Sequence, residues 1–118
     1  VAPDIPRLIY GTSIEGSISA DNTEDIYVFW GTEGDRVIIG MDQTTGDLDT
    51  VLELLDANEV RMLRDDDTGF ENNARLDAVL TYTGIHYIRA TRYDGNTGNS
   101  NTTGDYRLSL TRISGNEE

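Results

Sequence analysis

Apolar and polar residues alternate with a period of two through most of this chain, and no apolar stripe recurs at the spacing of a helix. The alternating runs are short and are broken by Gly, Asp, Asn and Thr, residues that favour turns. Strands are therefore expected at 7–11, 14–19, 25–31, 35–42, 48–56, 60–65, 74–82, 85–93 and 105–113. About eight or nine short strands with turn signals between them make an all-β chain, and the architecture expected is an antiparallel sandwich or barrel.

The alternation also selects an inner face. Tyr27 and Phe29 fall on one side of their run, as do Val37, Ile39 and Met41, then Leu52 and Leu54. Leu76, Ala78 and Leu80 continue the set, followed by Ile88 and Ala90 and by Tyr106, Leu108 and Leu110. Ile26, Val28, Trp30, Val51 and Leu55 lie on the opposite faces of their runs, so part of the outer surface is expected to meet another domain. Residues 20–25 read as an acidic loop, and 94–104, rich in Asn, Gly and Thr, as a long surface loop. A single domain is expected over 1–118, with 1–13 as a lead-in and 114–118 as a tail. Because the chain starts at Val1, it is expected to be a piece of a longer protein or a processed form.

Charge changes the picture most. The formal net charge is −13, and all nine basic residues are arginine. Nucleic acid and anionic membranes are not expected partners, since both need a basic footprint. Without cysteine the chain has neither disulfides nor thiol chemistry. No run reaches transmembrane length, and no signal-peptide pattern is present. The fourteen Asp exceed the eight Glu, a bias that leans toward turns and calcium loops.

Four stretches occur in a distinctive order: "GSISADNTEDIYVFWGTEGDRVIIGM", "GDLDTVLELLDANEVRMLRDDD", "NARLDAVLTYTGIHYIRA" and "GDYRLSL". Together they resemble the bacterial pre-peptidase C-terminal domain, and the resemblance covers residues 14–112. The resemblance implies a jelly-roll-like β-sandwich appended to secreted or cell-surface bacterial enzymes, peptidases above all, with the parent catalytic domain as partner. It also implies a non-catalytic role in secretion, stability or substrate attachment, and kinship with the collagen-binding domains of clostridial collagenases, some of which bind calcium. Two departures stand out. Ahead of the first core strand, where calcium-binding relatives carry an acidic stretch, only Asp4 is available; and His86 stands where the family often has Tyr.

Calcium needs six to eight oxygens, so carboxylates that converge are the chemistry to look for. If residues 57–59 turn a hairpin, positions whose numbers sum to about 115 or 116 face each other, which sets Asp49 against Asp66 or Asp67. The rim Asp47, Asp49, Asp65, Asp66 and Asp67 is the primary metal candidate, with Asp49, Asp65 and Asp67 as its most usable set; the bland reading is a solvated acidic turn. Asp21, Glu24 and Asp25 form a secondary candidate, for which a plain turn is the simpler reading. Asp94, Asn96 and Gly98 resemble the start of a calcium loop but lack its later Glu. No catalytic residue is assigned: His86 falls mid-strand beside Ile88 and Ala90, and no nucleophile elbow, zinc spacing or phosphate loop occurs. Trp30, Tyr87 and Tyr93 fall on or near faces not assigned to the core and are candidates to hold a collagen-like protein or a polysaccharide. A monomeric domain is expected.

Overall fold

Alternating inward and outward residues build eight strands among the residues described, which are 5–65, 73–92 and 102–113 of a computed structural model. They are β1 (Thr12–Ile18), β2 (Glu24–Gly31), β3 (Arg36–Gln43), β4 (Thr50–Leu55), β5 (Arg61–Asp65), β6 (Ala74–Val79), β7 (Gly84–Arg92) and β8 (Gly104–Ile113). One sheet has the order β1-β8-β3-β6 and the other β2-β7-β4-β5, with every strand pair antiparallel. Each sheet thus interleaves strands from the two halves of the chain, as a jelly roll does. The expected all-β sandwich is the fold that forms.

The run at 7–11 does not become a ninth strand. Arg7 makes only an isolated parallel bridge to Val28; the Leu8 N–H donates to Val28 O (2.8 Å) and the Val28 N–H to Pro6 O (2.9 Å). Gly11, at φ 86°, then turns the chain into β1. The segment covers the open edge of β2, whose unpaired backbone groups would otherwise invite another chain. Leu8 is buried while Arg7 and Ile9 are exposed, so the alternation places Arg7 and Ile9 on the outer face beside Val28 and Trp30.

The inward rows predicted from the alternation meet between the sheets. Val37, Ile39, Met41, Leu52, Ile88, Ala90, Tyr106, Leu108 and Leu110 have no exposed surface, and Phe29 and Leu54 have almost none. One polar chain crosses this core. The Tyr27 hydroxyl on one sheet and the Tyr106 hydroxyl on the other stand 2.5 Å apart, and Tyr106 donates to Asp25 Oδ2 at 2.5 Å. Asn22 Nδ2 donates to Asp25 Oδ1 (2.9 Å), which holds the carboxylate in place. Burial, followed by the Asp25 carboxylate, pushes the Tyr106 phenol far up, so it stays a donor. A Cβ at position 16 would collide with the Tyr106 hydroxyl, so Gly16 is what lets that hydroxyl reach across.

The two ends of the sandwich close differently. At one end Tyr10 donates to Asp35 Oδ2 (2.8 Å) and Arg112 Nε to Asp35 Oδ1 (3.0 Å), tying the lead-in, the start of β3 and the end of β8 together. Burial and the Asp35 carboxylate push the Tyr10 phenol up to about 12. At the other end the loop 44–49 lies against the start of β8. Gly46 (φ 76°) and Gly104 (φ 152°) pass backbone to backbone there, where a Cβ on either would strike a carbonyl oxygen of the facing segment.

Tyr106→Phe is expected to lower the unfolding free energy by about 1–3 kcal/mol, because it leaves Asp25 and Tyr27 without a buried partner. Urea unfolding measures this; an unchanged midpoint would show that the hydroxyl chain contributes nothing.

Candidate functional site

Three groups of side chains were singled out by the sequence, and the tertiary structure treats each differently. The acidic rim is the first. In the β4–β5 hairpin Leu55 pairs with Arg61, as the arithmetic requires near the turn, but the register shifts between Leu54 and Leu55. Beyond the shift Leu54 faces Leu63 and Leu52 faces Asp65, one residue away from the expected pairing. Met62 is the inserted residue, and it packs on the core.

The described rim carboxylates point to different neighbours. Asp47 Oδ1 accepts the Thr103 N–H (3.1 Å), and the Asp47 N–H donates to Thr103 O (3.0 Å). Asp65 Oδ2 instead accepts the Arg75 N–H (2.8 Å) at the start of β6. The Asp49 N–H donates to Thr102 Oγ1 (2.9 Å). Among the described residues no three His, Cys, Asp or Glu side chains stand close enough to hold one ion. Asp66 and Asp67 lie outside the described residues, so a calcium shell at this rim would have to draw on them. Asp4, Tyr93, Asp94, Asn96 and Gly98 lie outside them as well.

The secondary acidic set is engaged by protein donors. Glu24 accepts from Arg89 Nε, and Asp25 accepts from Tyr106 and Asn22. The Asp21 N–H turns to Ser19 Oγ (3.3 Å). Asp25 also borders a shallow cleft of about 330 Å³ whose lining includes Pro6, Ile14, Glu15 and Tyr27. The role of Asp25 in joining the sheets was not legible in the sequence, where it reads as one more acid in a loop. Its place on the inward side of β2, two residues before Tyr27, is the signal that marks it.

The aromatic face is assembled as the alternation implies. Trp30 is 59% exposed on the outer face of the β2-β7-β4-β5 sheet. It lies opposite Ile85, while Val28 lies opposite Tyr87, so Trp30 and Tyr87 are diagonal neighbours on one surface. Of the other outward apolar residues, Val51 and Leu55 are buried.

His86 is a core residue. Its ring stacks between Phe29 (centroids 5.1 Å apart, 15°) and Tyr82 (4.2 Å, 12°) and has no exposed surface. Nδ1 lies 3.0 Å from Gly84 O, which only accepts, so Nδ1 carries the proton and donates. Nε2 is then a bare lone pair with no hydrogen-bond partner. Protonating it would bury a cation between two rings. Burial accordingly holds the imidazole below its ordinary value, against the opposing effects of the Gly84 carbonyl and Asp56.

No protein-family model and no curated protein matches the chain. Among solved structures it is similar to the pre-peptidase C-terminal domain of collagenase from Bacillus anthracis, with a TM-score of 0.73 and 19% identity over 92% of this chain and 95% of that one. It is also similar to PliG, a periplasmic inhibitor of g-type lysozyme. The Salmonella Typhimurium protein gives a TM-score of 0.60 at 14% identity, and the Aeromonas hydrophila protein 0.58 at 9%, each covering 91% of this chain and 96% of that one. The fold is thus that of a pre-peptidase C-terminal domain, in agreement with the resemblance carried by the sequence motifs.

The His86 geometry sets a pH dependence. An unfolded chain takes up the proton near pH 6.5, whereas the folded one resists it to a lower pH. Stability is therefore full above pH 6.5 and declines as pH falls below that value toward the folded pKa. His86 is the single histidine, so His86→Phe, which keeps a stacked ring, is expected to flatten the unfolding free energy between pH 7 and 5. An equally steep slope in the variant would rule His86 out as its source.

Proposed function

We propose that this chain is a non-catalytic accessory domain of an exported bacterial peptidase. One observation carries the reading: the chain shares nearly its full length, as a fold, with a domain whose own description places it in a collagenase. The burial of His86 beneath Tyr82 supports the non-catalytic part, because it leaves the one imidazole out of reach of a substrate. Such a domain acts by position: it stabilises, helps export or holds the parent enzyme near its substrate. Deleting it from the parent enzyme is expected to leave cleavage of a short soluble peptide unchanged and to lower export yield or turnover of an insoluble substrate. Loss of short-peptide cleavage in a folded deletion variant would place the domain inside the catalytic machinery instead.

Calcium belongs to this reading as a stabiliser. The support is the net charge of −13 and the aspartates Asp47, Asp49, Asp65, Asp66 and Asp67. An ion that binds the folded state alone raises the unfolding midpoint by mass action. Melts in millimolar calcium are therefore expected to run above melts in chelator, and coincident curves would remove calcium from the account.

A second reading is favoured by the exposed Trp30 beside Tyr87: a module that attaches to collagen-like protein or polysaccharide. Pull-down on insoluble collagen, chitin and cellulose tests it. Retention is expected for the wild-type chain, and Trp30→Ala and Tyr87→Ala are expected to release it.

A further inference from the structure

The two outer faces of the sandwich differ in a way that the net charge conceals. On the β1-β8-β3-β6 sheet the described outward acids outnumber the bases: Arg36, Arg75 and Arg107 stand among Glu15, Asp42, Asp77 and Asp105. Between them lie Ser13, Gly40 and Ser109 and the aliphatic Ile38, Val79 and Ile113, with no aromatic ring among the described residues. Among the described residues, the outer face of the β2-β7-β4-β5 sheet instead carries Arg7, Arg61, Arg64 and Arg89 with Glu24 and Glu53. Four of the nine arginines and the rings of Trp30 and Tyr87 thus share one surface of a strongly acidic chain.

The register arranges them in rows across the strands. The first row reads Trp30, Ile85. The next reads Arg7, Val28, Tyr87, Leu55, Arg61, with an arginine at each end of an aromatic centre. Four strand spacings separate its ends, about 19 Å. The third row reads Ile26, Arg89, Glu53, Arg64. Arg89 bonds both Glu24 and Glu53, so the described acids of this face already share a cation. Arg61 reaches Glu53 only at 3.5 Å and is largely exposed, and Arg7 is exposed at the opposite edge.

We propose that this face docks a linear anionic polysaccharide. The inference rests on the attachment reading above and narrows it from sugar polymers in general to acidic ones. Guanidinium groups pair carboxylates or sulfates through two parallel hydrogen bonds, and the rings between them offer flat apolar surface to pyranose rings. Two separated cationic ends suit a polymer that repeats its charge, more than a small ligand with one. The acidic remainder of the chain acts at longer range and is screened beyond about 8 Å at physiological salt.

Titration calorimetry with polygalacturonate, neutral dextran and poly-glutamate tests this. Polygalacturonate is expected to bind and to weaken with added salt. Arg7→Gln with Arg61→Gln, and separately Trp30→Ala, are each expected to lower its affinity at least tenfold, which is about 1.4 kcal/mol. Arg107→Gln on the other sheet is expected to change nothing. The variants are all at exposed positions, and their melts verify folding. Absence of polygalacturonate binding overturns the proposal. Equal binding of poly-glutamate overturns it too and points to an acidic protein partner. Binding of dextran or cellulose through Trp30 with no preference for the anionic chain overturns the proposal while leaving the attachment reading intact. Failure of every sugar polymer and of collagen ends both.

Discussion

Two antiparallel sheets share one dry layer, and each strand can fill that layer with only every second residue. This constraint organises everything else in the molecule. It fixes which residues vanish from solvent, because a slip of one position would send an entire row to the wrong side. It makes the Tyr27–Tyr106–Asp25 chain necessary, since a hydroxyl in that layer must find a partner within it. It also decides what the outside can be. The residues left over after the core is filled become two separate surfaces.

Those surfaces have diverged. One carries more described acids than bases among serines and aliphatic side chains; the other gathers rings and guanidinium groups. A net charge of −13 describes neither. The sum over a chain speaks to solubility and long-range repulsion, whereas recognition is read over distances comparable to the screening length. The lead-in segment illustrates the same point. It contributes no strand, yet by bridging to β2 it protects an edge and adds Arg7 to the outer face of that sheet.

The acidic rim shows where reading the sequence stops. Counting back from a turn is sound while the ladder is regular, and Leu55 does meet Arg61. One inserted residue, Met62, then changes the register and packs on the core. Asp65 is carried to the backbone of β6, while Asp47 answers the backbone of Thr103. Neither partner is near in sequence, so no local rule identifies them. His86 was easier: a mid-strand position flanked at period two by Ile88 and Ala90 already marks it as inward, and it is fully buried.

What the sequence determined by itself was the all-β class, all eight described strands, the inward rows and the outward place of Trp30 and Tyr87. These follow from a period of two, which is a local property that each strand carries alone. Only the tertiary structure decided the strand order, the bulge at Leu54, the buried Asp25–Tyr106–Tyr27 chain and the rows of arginine and aromatic side chains across the second sheet. Those depend on which segments lie side by side. That pairing is settled by closing both sheets over one core, a condition that no single stretch of the chain contains.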